Sequence, residues 1–248
     1  MQLSTHSTKP RAALHIPMPK LKINFHLHTG QDPIDAVKHS EHQLIDEAAR
    51  LGYDVLSITC HNALIFSDDL KHYAAKKGIL LIPGIEKSIH RKHVLIINAT
   101  VEAQKIHNFE DLRQYRKNHP ECLIIAAHPY YPGGISLQKN LEKQIDLFDA
   151  IEYSWYHSKH LNGPNKKAVR TAEKHHKPVL GTADNHILKY LNHTYSRVRA
   201  EKTIASVFAA IKSNQIEIVS HDLPWWKLGT IISYMLVMSW VKSVRLKG

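Results

Sequence analysis

The stretch LKINFHLHTG, residues 21–30, places an apolar alternation directly before two histidines two positions apart. Leu21, Ile23 and Phe25 alternate as a packed strand requires, and side chains at i and i+2 of an extended chain point the same way. His26 and His28 therefore offer two imidazoles to one side, just where the strand ends. Working outward, the same arrangement recurs. DVLSIT (54–59) leads through Cys60 into His61, GILLIPG (78–84) into Glu86, CLIIAA (122–127) into His128, and PVLGTA (178–183) into Asp184 and His186. Two further apolar runs, HVLIINA (93–99) and AIEY (150–153), complete a set of seven. Helical patterns separate them, over residues 40–50, 69–76, 109–117, 141–147, 165–176 and 203–213. In the first, Leu44, Ile45, Ala48 and Ala49 mark one buried face, with Ser40 as N-cap and Gly52 just past the last turn.

Strand alternating with helix predicts an α/β protein built of βα units around a parallel sheet. No composition break or repeat interrupts residues 21–215, so one domain is expected over 20–221. Residues 1–19 read as a mobile arm and 222–248 as an apolar helical appendage. In α/β barrels the C-terminal strand ends form the active-site face. One His-x-His is a weak signal, but five strand ends that each deliver a histidine or carboxylate predict a metal centre.

FHLHTG, SITCHN, GIE, AAHPYY and GTADNH, in this order and spacing, resemble the PHP (polymerase and histidinol phosphatase) superfamily over about residues 21–200. The resemblance implies a distorted seven-stranded (β/α) barrel that hydrolyses phosphoesters with a metal-bound hydroxide at a di- or trinuclear centre. By motif match the metal ligands are His26, His28, His61, Glu86, His128, Asp184 and His186, with Asp32 and His93 as further candidates. Glu86, the bridging choice, would be catalytic together with His128 and Asp184. Mixed imidazole and carboxylate ligation suits Zn, Mn or Fe. The sequence departs from the family pattern twice, with Asn24 where DxHxH has its first Asp and Cys60 where TDH has its Asp. Alternation turns Cys60 away from the site, toward packing.

Phosphate also needs positive charge outside the metals. Lys87, Arg91 and Lys92 follow Glu86 and Lys159 follows the sixth strand, and each reads as a solvated surface charge before a phosphate contact. His157 and His160 form an HxxH on the same expected face, either to contact substrate or a third ion or to stand in a polar loop with no site role. His175 reads as a surface position near a helix end.

The chain has 248 residues, 43% hydrophobic and 22% charged, which excludes a disordered or collagen-like protein. Two cysteines build no disulfide framework, and no apolar leader stands at the N-terminus, so a cytoplasmic protein is expected. Thirty-three Lys and Arg against 22 Asp and Glu give a net charge of +11, which attracts phosphate, nucleic acid or an anionic membrane. The preferred substrate is a small phosphorylated molecule, a nucleotide or a sugar or histidinol phosphate. A 3′–5′ exonuclease acting on nucleic acid is the first alternative, and a PHP-like scaffold of reduced activity, motivated by Asn24 and Cys60, the second.

In the tail, fourteen uncharged residues lie between Lys227 and Lys242, about 21 Å of helix and too short for a clean membrane span. The expectation is a helix packed on the barrel or engaged in homo-oligomer contacts. Peripheral contact with a membrane surface, suited by Trp225, Trp226, Trp240 and the basic flanks, is the alternative.

Overall fold

The structure, a computed structural model, describes residues 18–245. The arm expected over residues 1–19 therefore falls, up to residue 17, outside the described residues. Strands and helices alternate from the start: β1 (Lys20–Asn24), α1 (Glu41–Arg50), β2 (Val55–Ile58), α2 (Asp68–Lys76), β3 (Leu80–Ile89), β4 (Lys92–Ile97), α3 (Phe109–Asn118), β5 (Leu123–Ala126), α4 (Lys139–Lys143), β6 (Ala150–Ser154), α5 (Gly163–Lys174) and β7 (Val179–Thr182). After these come β8 (Thr194–Arg199), α6 (Ile204–Lys212), β9 (Ile216–Ser220) and α7 (Trp225–Arg245). The helix starts follow from their caps. Ser40 and Gln43 close a capping box on α1, and Asn108 with Asp111 does the same for α3.

The strand order is β7-β6-β5-β4-β3-β2-β1-β8-β9, which corrects two expectations. Among the described residues the sheet has nine strands rather than seven, and it is mixed rather than parallel. β4 runs antiparallel to both β3 and β5, and β8 antiparallel to both β1 and β9. The first correction explains how the sheet curls almost into a barrel. β7 meets β8 across a seam where Gly181 N donates to Ser196 Oγ at 2.8 Å and that hydroxyl donates to Gly181 O at 3.0 Å. A Cβ on Gly181 would stand 2.7 Å from Ile218, so no larger residue fits the closure. Asn24 ties the same seam from β1: its amide Nδ2 donates to Thr194 O at 3.1 Å, and its Oδ1 accepts from Ala183 N at 3.0 Å.

The core lies in layers on the sheet. Phe25, Ile82, Leu95 and Leu180 pack with Phe208 of α6, and Phe25 meets Phe208 edge-to-face at 6.4 Å. Leu44, Ile58 and Cys60 pack under α1 and α2, and Ile96, Ile124 and Phe148 under α3 to α5. The first turns of α7 lay Leu228 and Ile231 on Trp155 and Tyr190. Trp225 and Trp226 of the same helix are 67% and 55% exposed. Among the described residues, no helix is long and apolar enough to cross a membrane.

Candidate metal centre

Six of the nine sequence candidates stand just past the C-terminal ends of strands, and Glu86 lies within β3, beyond its ladder with β2. β1 runs on into His26 and His28, and an isolated bridge sets Leu27 beside Asn185, so the His26-Leu27-His28 segment faces Asp184 and His186. A second bridge sets His61 beside Glu86. His93 stands at the start of its strand, yet reaches the same end of the barrel because β4 is antiparallel to β3 and pairs His93 with Ser88. Two of the site residues hold backbone angles uncommon for L residues, His128 at φ 25° and Asp184 at φ 41°.

Around Glu86 the donor atoms converge. Its Oε1 lies 3.2 Å from His26 Nε2, 2.8 Å from His93 Nδ1 and 3.2 Å from His128 Nε2. Its Oε2 lies 3.0 Å from His61 Nε2 and 3.4 Å from His28 Nε2. Asp184 Oδ1 is 3.3 Å from both His26 Nε2 and His28 Nε2, and 3.4 Å from His186 Nδ1. Four overlapping triads result: His28/His61/His186, His26/His28/Asp184, His26/Glu86/His128 and His61/Glu86/His93, each with donor atoms within 4.8 Å of one another.

Behind these side chains stand carboxylates that hold the rings. Asp32 Oδ2 is 2.8 Å from His28 Nδ1 and 2.9 Å from His61 Nδ1, and it also accepts from His61 N. Its Oδ1 accepts from the backbone N–H groups of Ile34 and Asp35. Glu152 Oε1 lies 2.8 Å from His26 Nδ1, and Glu152 also accepts from His128 N and the Thr182 hydroxyl. Asp35 Oδ2 is 2.8 Å from His186 Nε2. An ionised carboxylate only accepts, so the facing nitrogen carries the proton. In the neutral rings of His26, His28 and His61, the form that binds a cation, the proton is thereby held on Nδ1 and the Nε2 lone pair is left toward the centre. That is the arrangement metal-ligating histidines show.

The charges reinforce one another. Burial pushes the Glu86 carboxyl up, but His93, His26 and His61 outweigh it and hold it well below the carboxylate range. Asp184 is held down likewise, burial being overcome by His26 and His28. For Asp35, burial loses to the His186 hydrogen bond, which brings it to about 2. Burial alone would depress His26, yet Asp184, Glu86 and Glu152 raise it well above its ordinary value. His61, His128 and His186 are raised for the same kind of reason, chiefly by Glu86, Glu86 and Asp35 against burial. Burial wins at His93, which is lowered.

Do these residues fit a metal? His26 Nε2, His28 Nε2, Glu86 Oε2 and His93 Nδ1 are buried without a hydrogen-bond partner among the described residues. Buried polar atoms are rarely left so, and four converging orphans of ligating type call for a cation. The donor set fits.

The remaining candidates sit elsewhere. His157 bonds Asp222 Oδ1 at 3.0 Å and Ser220 Oγ at 2.7 Å, tying the chain before α7 to the end of β6. Lys159 and His160 are exposed outside the cluster. The amines of Lys87 and Lys92 donate to Gln104 O and Gly134 O. Cys60 packs as expected, 3.5 Å from Thr29 Oγ1, with burial pushing its thiol up to about 12. His175 is half-buried at the α5 C-cap rather than on the surface. Sequence reading missed Glu152 and Asp35. Asp35 follows the His-x-His by only seven residues, whereas Glu152 carried no signal inside an apolar strand.

Comparison with known proteins places the fold. No family model matches the chain. Over 65 residues, 26% of the chain, it is 32% identical to the PolC-type DNA polymerase III of Staphylococcus saprophyticus, and the match spans 4% of that polymerase's length. A two-domain protein from Bacteroides vulgatus, described as containing a predicted PHP-like metal-dependent phosphoesterase, superposes with a TM-score of 0.65 at 21% identity, over 87% of this chain and 70% of that one. PsfC from Pseudomonas syringae gives 0.59 at 15% identity, over 92% of this chain and 100% of that one. The lesion-specific endonuclease EndoQ of Pyrococcus furiosus gives 0.56 at 18% identity, over 81% of this chain and 58% of that one. The fold is the PHP-like one.

Proposed function

We propose that the chain is a metal-dependent phosphoesterase acting on a small phosphorylated substrate. The observation that carries this reading is the set of four orphaned donor atoms at the strand ends, in a PHP-like barrel. His26, His28, His61, Glu86, His93, His128, Asp184 and His186 would hold two or three divalent ions, with Glu86 shared between triads. Ions held there would supply Lewis acidity toward water and the phosphoryl oxygens. The chain's own part is positional. Glu152 and Asp32 keep protons on Nδ1 of His26, His28 and His61, so that their Nε2 atoms stay aimed at the centre. Asp32, with both oxygens already engaged, is assigned to this holding role and not to the ligands. Asp35 fixes the His186 ring in the same way. Glu86, His128 and Asp184 are the catalytic residues of this reading, since they crowd the point where the triads overlap.

Two observations bear on the alternatives. The net charge of +11 and the likeness to EndoQ favour phosphodiester cleavage in nucleic acid as the second reading. Asn24 and Cys60, which motivated an inactive scaffold, both lie outside the ligand triads and have packing or hydrogen-bonding roles of their own. The test is metal analysis of the purified protein followed by assays with Mn, Zn or Fe on p-nitrophenyl phosphate, bis(p-nitrophenyl) phosphate and single-stranded DNA. Hydrolysis of the small esters but not of DNA is the expected result. Cleavage of DNA alone would establish the second reading, and bound metal without turnover the scaffold.

A further inference from the structure

Among the described residues, no hydrogen bond or ion pair holds the guanidinium of Arg91, which stands beside the cluster. Arg91 lies at the tip of the β3–β4 hairpin, where Ile89 pairs with Lys92 and the two-residue turn between them holds His90 at φ 47° and Arg91 at φ 64°. Such a turn normally uses Asn and Gly, because other L residues rarely adopt the left-handed region. Here it carries His and Arg. Conformations of this kind persist where the surroundings hold them, and they gather at functional sites. Lys92 Nζ donates to Gly134 O at 2.6 Å and His93 N to Ile135 O at 2.9 Å, which docks the turn on the loop after His128. The Arg91 guanidinium lies along that loop, so close that a Cβ on Gly134 would be 3.5 Å from Nη2.

Arg91 lines a cavity of about 510 Å³ together with His61 and His93 of the ligand triads. Among the described residues it forms no ion pair, whereas Lys87 and Lys92 are occupied by carbonyls. Asp35 also faces this cavity, but its charge is taken up by His186 at 2.8 Å. Ile34 and Ile135, 48% and 45% exposed, form an apolar rim.

We infer that Arg91 is the phosphate-recognising residue of this site, and that Ile34 and Ile135 receive the apolar or planar remainder of a phosphomonoester. This rests on the phosphoesterase reading above and narrows its substrate class. A guanidinium fork suits two oxygens of a terminal phosphate, and a monoester dianion offers more charge to it than a diester does. The cavity volume is that of a small-molecule site.

The experiment uses Arg91→Asn, which removes the charge while Asn still accepts the left-handed turn, and Arg91→Lys, which keeps the charge but not the fork. Two readouts are taken on the protein with its metal: calorimetric titration with inorganic phosphate, and KM for p-nitrophenyl phosphate and bis(p-nitrophenyl) phosphate. The expected result for Arg91→Asn is phosphate affinity and monoester KM worsened roughly 10–100-fold, from the loss of charged hydrogen bonds. Diester KM should move less than about threefold, metal content should be unchanged, and Arg91→Lys should recover only part of the loss. Phosphate binding that is absent in the parent protein, or equal in Arg91→Asn, would overturn the inference. If phosphate binds through Arg91 and no ester is hydrolysed, the esterase reading fails and the anion site stands.

Discussion

Glu152 Oε1 stands 2.8 Å from Nδ1 of His26, and both side chains are fully buried. The same carboxylate receives the backbone N–H of His128 and the hydroxyl of Thr182, so one residue on β6 ties together three strand ends of the site. Glu152→Gln keeps the shape but removes the obligate acceptor that fixes the His26 proton. Metal affinity should fall about 10–100-fold, with activity recovered at high metal concentration. Titration of the metal-stripped variant measures this. An affinity equal to the parent's would assign Glu152 to packing alone.

Placing the aspartates of the PHP pattern at positions 24 and 60 should harm this chain. Asn24 donates to Thr194 O and accepts from Ala183 N, and a carboxylate can do only the second. Cys60 is fully buried among Leu44 and Ile58, near the charge of Asp32, with Thr29 as its hydrogen-bond partner among the described residues. Asn24→Asp and Cys60→Asp should each cost about 2–4 kcal/mol, seen as lowered melting temperatures, because each buries an uncompensated charge. Cys60→Ser should keep its full metal content. Loss of metal there would make the thiol a ligand.

The cluster was legible where histidines and carboxylates punctuate apolar strands, as at His26, His61, Glu86, His128 and Asp184. Nothing local marked Glu152, since a carboxylate within AIEY looks like the outward position of a half-buried strand. β8 was equally hidden: TYSRVR turns Thr194 and Ser196 inward, fully buried at the seam, so its polar residues occupy the face where apolar ones are sought. The antiparallel β4 escaped for another reason. A hairpin made by two left-handed residues, His90 and Arg91, has none of the Asn-Gly chemistry that advertises such turns.

Stability should depend on pH in opposite ways with and without metal. His26, His61, His128 and His186 have raised folded values, so their contribution is full below about pH 6.5 and is lost as pH rises through those values. Glu86, Asp184, Asp32 and Asp35 are lowered, so theirs is present above about pH 4.5 and is lost as pH falls. His93, lowered by burial, works against the other histidines in acid. The metal-free chain should therefore be most stable around pH 5–6.5 and weaken above about pH 7. Metal competes with the histidine protons, so the melting-temperature gain on adding metal should grow from pH 6 to 8. A gain that shrinks over this range would contradict the assignment of these rings as ligands.

The base of α7 is held by Leu228, 6% exposed against Trp155 and Tyr190. Leu228→Ala should cost about 2–3 kcal/mol by leaving a cavity, while metal content is unchanged. A chain ending at Asp222 should sediment as a smaller species if the exposed Trp225 and Trp226 mediate self-association. An unchanged oligomeric state with lost binding to anionic liposomes would assign that surface to a membrane.

Glu86 is the residue on which the whole account converges, five histidines lying within 3.4 Å of its oxygens. The direct measurement is metal content by mass spectrometry, with hydrolysis of p-nitrophenyl phosphate, for the parent, Glu86→Ala and His26→Ala. The parent should hold about two or three ions and turn over substrate, as multinuclear metal catalysis requires. Both variants should lose bound metal and hydrolysis while keeping a folded barrel by circular dichroism. Full metal content and full activity in either variant would contradict the account.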